Sequence, residues 1–205
     1  MSVLELLSQQ LDSNAISEMS RQIGADEKTT QNAVNAALPM LVGALANNTQ
    51  QAGGAQALLG ALDRDHDGSV LDDVMGFLGG AGGQGGQGGG MGGAILGHIL
   101  GGRQAGAEQA IGRASGLNAA SVGPLLSMLA PLVMGALSKQ KQQGGLGADG
   151  LASMLGQERQ QVERAAPGAG SLLSSVLDSD GDGEIGDDLA KIGSNLLGSF
   201  LSGRR

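Results

Sequence analysis

Aliphatic residues recur along this chain at helical spacing. Leu4, Leu7 and Leu11 fall on one face of a helix, as do Ile16, Met19 and Ile23, because residues three and four apart stack on the same side at 3.6 residues per turn. Gly24 predicts a stop for the second of these helices, and Asp26 an N-cap for a third beginning near Glu27. The aliphatic pattern continues through residues 121–137 and 171–177. No window sustains an alternation of β-branched and polar residues, so the spacing predicts an all-α fold.

The order of parts is stated twice. Pro39-Met40-Leu41-Val42-Gly43-Ala44-Leu45 matches Pro131-Leu132-Val133-Met134-Gly135-Ala136-Leu137 at an offset of 131 − 39 = 92, and Arg21 and Gly24 fall opposite Arg113 and Gly116 at that offset. Between the copies, residues 79–93 contain 11 glycines, interrupted by Ala81, Gln84, Gln87 and Met91. Such a composition does not repay the entropy of ordering itself. A flexible linker is expected there, with a reach of roughly 20 Å. The expected organisation is a duplicated multihelical bundle: a first repeat over residues 1–78, the Gly-rich linker over 79–93, and a second repeat over 94–205.

Each repeat carries one acidic loop, at residues 63–73 and 178–188. Asp63-Arg64-Asp65-His66-Asp67-Gly68 and Asp178-Ser179-Asp180-Gly181-Asp182-Gly183 share the pattern Asp-x-Asp-x-Asp-Gly, followed in register by Val70 or Ile185 and by the pairs Asp72-Asp73 or Asp187-Asp188. Three carboxylates at alternate positions repel one another unless a hard, oxygen-seeking dication lies between them, and glycine at position 6 permits the sharp turn that makes them converge. Calcium is therefore the expected ligand. Asp63, Asp65 and Asp67 would bind one ion and Asp178, Asp180 and Asp182 a second, with the backbone carbonyls of Ser69 and Glu184 contributing at position 7. The EF-hand pattern ends in a bidentate Glu at position 12, where this chain has Val74 and Leu189. Asp72 or Asp73, and Asp187 or Asp188, are left to close each site, which predicts weak binding, on the order of 10⁻⁵ to 10⁻³ M. The loops are flanked by expected short helices, residues 56–62 before the first and 71–78 after it, the helix-loop-helix setting of a calcium site. The competing structural reading is an Asp/Gly turn that caps the following helix.

Charge follows the loops. They contain 11 of the chain's 20 acidic residues, leaving 20 − 11 = 9 elsewhere against 12 Lys and Arg, so the net charge of −8 originates in the loops. With no basic patch and no Trp or Tyr, nothing favours nucleic acid. Phe77 and Phe200 are the only aromatics, so the core must be aliphatic. The absence of Cys excludes disulfides and thiolate chemistry. His66 and His98 sit in no metal-ligand or nucleophile spacing, and the glycine run lacks the Lys-Ser or Lys-Thr of a phosphate loop, so no enzyme activity is expected. The N-terminus lacks the features of a secretory signal, and a cytoplasmic location is expected. The most apolar segment, residues 124–137, is shorter than a bilayer span and holds Pro131 and Gly135. It reads as a buried helix pair or a kinked core helix, with no transmembrane segment.

The run Ala37-Leu38-Pro39-Met40-Leu41-Val42-Gly43-Ala44-Leu45, followed by a Gly-rich connection and Leu58-Leu59-Gly60-Ala61-Leu62-Asp63, resembles the bacterial YidB-like family, a domain of unknown function. The resemblance implies a small multihelical bundle, covers residues 1–80 closely and 94–205 more loosely, and brings no catalytic residues. The residues themselves favour a non-enzymatic calcium-binding helical module with a structural or interaction role. The alternative is a metal-independent protein that self-associates or lies on a membrane surface through the apolar helices expected at residues 94–100 and 192–201.

Overall fold

A computed structural model describes residues 2–65, 74–76, 78 and 91–165. Among these the chain is helical, with no strand, as the aliphatic spacing predicts. Helix α1 (Val3–Gln10) opens on a reciprocal cap in which Ser2 Oγ accepts from the Glu5 N–H at 3.0 Å and Glu5 Oε2 accepts from the Ser2 N–H at 3.3 Å. Helix α2 (Ser13–Ile23) starts at Asp12, which accepts from the Ala15 N–H, and buries Ala15, Ile16, Met19 and Ile23. It stops at Gly24, whose φ of 66° is left-handed and suits glycine. Asp26 then caps α3 (Glu27–Gln50) by accepting from the Thr29 N–H at 2.9 Å. Stop and cap both stand where the sequence predicts them.

After α4 (Gly54–Asp65) and a helical turn at Val74–Gly76, α5 spans Met91–Leu100 and leads through a 3-10 turn (Gly101–Arg103) into α6 (Gln104–Ser115). The next junction repeats the α2–α3 junction: Gly116 has φ 80°, and Asn118 caps α7 (Ala119–Gly144) by accepting from the Ala120 N–H. Gly24 and Gly116, Asp26 and Asn118, Pro39 and Pro131 all keep the offset of 92. Helix α8 (Ala148–Ala165) ends the described chain.

Two expectations are corrected. Residues 124–137 form part of one core helix and not a helix pair, since α7 runs unbroken over 26 residues through Pro124 and Pro131. Each proline forfeits one backbone hydrogen bond, but Leu125, Leu126, Leu129, Leu132, Val133, Ala136 and Leu137 are completely buried, and that burial outweighs the loss. By length and composition α7 would also cross a bilayer, and 67% of its most apolar 18-residue window is buried inside the molecule. A helix apolar on all sides is what a central core position demands. The second correction concerns the first acidic loop: helix α4 does not stop at Leu62 but continues through Asp63 to Asp65.

The long helices α3 and α7 pack on each other at the centre, with α1, α2, α4, α5 and α6 around them. Packing runs both within and between the two stretches, with α5 and α6 on α7 and α2 and α4 on α3. Helix α8 packs chiefly on α3 rather than on α7, its neighbour in sequence; α6 also lies on α3, while α1, α2 and α4 contact α7. One continuous aliphatic cluster results, running from Val3 and Leu7 through Leu41 and Leu62 to Leu96, Leu129, Leu151 and Leu155.

Candidate functional site

The first acidic run begins on the last turn of α4, at Asp63. Leu58 and Leu62 are four residues apart, lie on one face and are buried, so α4 is anchored by its apolar side. The carboxylate of Asp63, one residue beyond Leu62, consequently emerges at the surface, with its side chain 55% exposed. There it pairs with the ammonium of Lys141, on the last turns of α7. Gly145, in the left-handed conformation with φ 58°, ends α7 just beyond Lys141, and α8 follows.

Asp65 is the last residue of α4. Asp67, Ser69, Asp72 and Asp73 lie outside the described residues, as do Asp178, Asp180, Asp182, Glu184, Asp187 and Asp188, residues 79–90 of the glycine run, His66, Phe77 and everything after Ala165. Among the described residues, no three His, Asp or Glu side chains come together as a metal-holding group. His98 is exposed on α5, and its backbone carbonyl accepts from the Asn48 side chain at 3.2 Å.

Two charged residues hold positions that the sequence reading did not assign. Lys141 is one. The other is Glu158, 6% exposed, whose Oε1 accepts from the Val3 N–H at 2.9 Å. Val3 is the first residue of α1, where backbone donors have no partner within the helix, and a carboxylate there also meets the positive end of the helix dipole. Glu158 was detectable: Leu151, Leu155 and Glu158 follow the i, i+4, i+7 spacing of a buried stripe, so an acid occupies a place the pattern reserves for an aliphatic residue. Lys141 had no such signal, because its partner lies 78 positions away in sequence.

Asp26, exposed on the surface, shows the same chemistry at lower stakes. The Thr29 hydroxyl and then the Thr29 N–H donate to its carboxylate and hold its carboxyl below the ordinary carboxylate value.

No curated protein and no solved structure matches this chain. A family model does match, over residues 5–140, which takes in α1 through most of α7. The chain belongs to a family of bacterial proteins of unknown function, DUF937.

Proposed function

We propose that the protein is a non-enzymatic, calcium-binding helical module built from two copies of one unit. The observation that carries this reading is the Asp-x-Asp-x-Asp-Gly run stated twice in the same register, at Asp63 to Gly68 and Asp178 to Gly183. Supporting it, the first run begins on a helix anchored in the core, and the caps and central prolines recur at a constant offset of 92. The ion would neutralise charges that otherwise repel within each loop.

Binding at the first loop carries one structural requirement: Lys141 must release Asp63, which weakens that site relative to a preformed loop. Titration calorimetry of the metal-free protein is expected to show two calcium ions per chain and weaker magnesium binding, since magnesium demands compact octahedral geometry. Asp67→Ala and Asp182→Ala should each remove one site. An isotherm without heat at millimolar calcium, together with the same melting temperature in chelator and in calcium, would discard the reading and leave metal-independent self-association in its place.

A further inference from the structure

Lys141 is held by its backbone as well as by its charge. Its carbonyl accepts from the N–H of Gly145 and, at 3.0 Å, from that of Leu146, the bonds that close α7 at a left-handed glycine. The base of the side chain is thereby fixed at the end of the helix, while the ammonium reaches across to the Asp63 carboxylate on α4. The Lys141 side chain is mostly covered, at 18% exposure, whereas that of Asp63 is open to solvent. This cation belongs to one copy of the duplicated unit. At the offset of 92 it falls on position 141 − 92 = 49, and Thr49 is neutral and buried, its hydroxyl donating to the Ala46 carbonyl at 2.8 Å. The last turn of α3 holds no basic residue. The glycine stops, the caps and the central prolines recur between the copies, and the lysine does not.

Asp63 is the first carboxylate of the first Asp-x-Asp-x-Asp-Gly run. An ammonium seated on it supplies the positive charge that a metal would bring, and the two cations repel one another at a shared carboxylate. We propose, on the calcium reading given above, that Lys141 is a built-in competitor of calcium at the first run. Without metal the ammonium neutralises Asp63; calcium binds there by displacing it. The displaced ammonium remains at the C-terminal end of α7, where the helix dipole favours a cation, so its release strands no charge in the core. An ion pair with one partner this exposed shifts an equilibrium by about fivefold at most. Lys141 therefore tunes the first site without closing it, and occupation of that site is carried to the end of α7 as a freed ammonium.

The test uses the full-length chain in two ways. In the first, Asp182→Ala confines calcium titration to the first run, and Lys141→Gln and Lys141→Arg are each added to that background. Calorimetry is expected to show Lys141→Gln binding calcium about two- to fivefold more tightly than the Asp182→Ala parent, with Lys141→Arg, which keeps the charge, close to the parent. In the second, the unsubstituted chain is acetylated briefly with acetic anhydride, and modification of Lys141 is measured by mass spectrometry against that of the exposed Lys28. Millimolar calcium is expected to raise the labelling of Lys141 relative to Lys28, a readout that needs no variant to fold. Unchanged or weaker calcium binding by Lys141→Gln overturns the competition and leaves the calcium reading standing, as does labelling of Lys141 that calcium does not alter. No heat from the unsubstituted chain, the parent and both variants overturns the calcium reading, and the competition with it.

Discussion

Glu158 is the residue on which two ends of the chain meet. Its buried carboxylate satisfies the first backbone donor of α1, and replacing it by Ala leaves that donor without a partner in a site closed to water. A charge-assisted hydrogen bond of this kind is worth about 1.5–3 kcal/mol. Glu158→Ala should lower unfolding stability by about that amount in urea titration, and hydrogen exchange should quicken first in α1. Glu158→Gln keeps an acceptor oxygen and should lose less. At Asp26 the test is pH. Its folded carboxyl lies below the ordinary value, so its contribution is fully present above the unfolded carboxyl's range and is lost as pH falls through the lowered folded value. Asp26→Asn preserves an N-cap of similar quality and should flatten the acid limb of the stability profile while changing stability little near neutrality.

The helices differ in what glycine does for them. A Cβ built on Gly92 in α5 would stand 2.0 Å from the Ser127 carbonyl oxygen of α7. Ser127 is the residue four before Pro131, whose missing N–H leaves that carbonyl without its helical partner. The gap in the backbone ladder of α7 and the close approach of α5 thus coincide. On the same helix, Gly97 is exposed and a Cβ there meets nothing within 4 Å. Gly97→Ala should therefore raise stability by about 0.5–1 kcal/mol through helix propensity, whereas Gly92→Ala should lower it by pushing α5 off α7. Thermal unfolding of the two variants side by side checks this, and equal effects would contradict the packing.

At the scale of the whole molecule, one aliphatic cluster spans both stretches, so damage to either should be felt in both. Leu41→Ala in α3 removes a completely buried side chain and should cost about 2–5 kcal/mol. Native-state hydrogen exchange should then show α7 losing protection together with α3. Loss confined to α1 through α4 would indicate two independently folding units. Calcium, if bound as proposed, acts on this same equilibrium: at a hundredfold excess over the dissociation constant each independent site adds about 2.7 kcal/mol. That increment should appear as a calcium-dependent rise in the melting temperature.

The sequence by itself determined the helical class, the Gly24 stop, the Asp26 cap and the aliphatic stripes of α1 and α2, because each is written in residues within a turn or two of one another. It also placed two acidic runs in one register, which is what makes calcium a hypothesis with a test. It left residues 124–137 open between a helix pair and a kinked core helix, since the cost of a missing hydrogen bond is local while the burial that offsets it comes from helices elsewhere in the chain. Nor did it disclose that Lys141 neutralises Asp63 or that Glu158 caps α1. Those depend on which helices lie side by side. Here α8 chooses α3 over its own neighbour α7, a choice made by complementary packing between surfaces more than a hundred residues apart, and no local pattern encodes it.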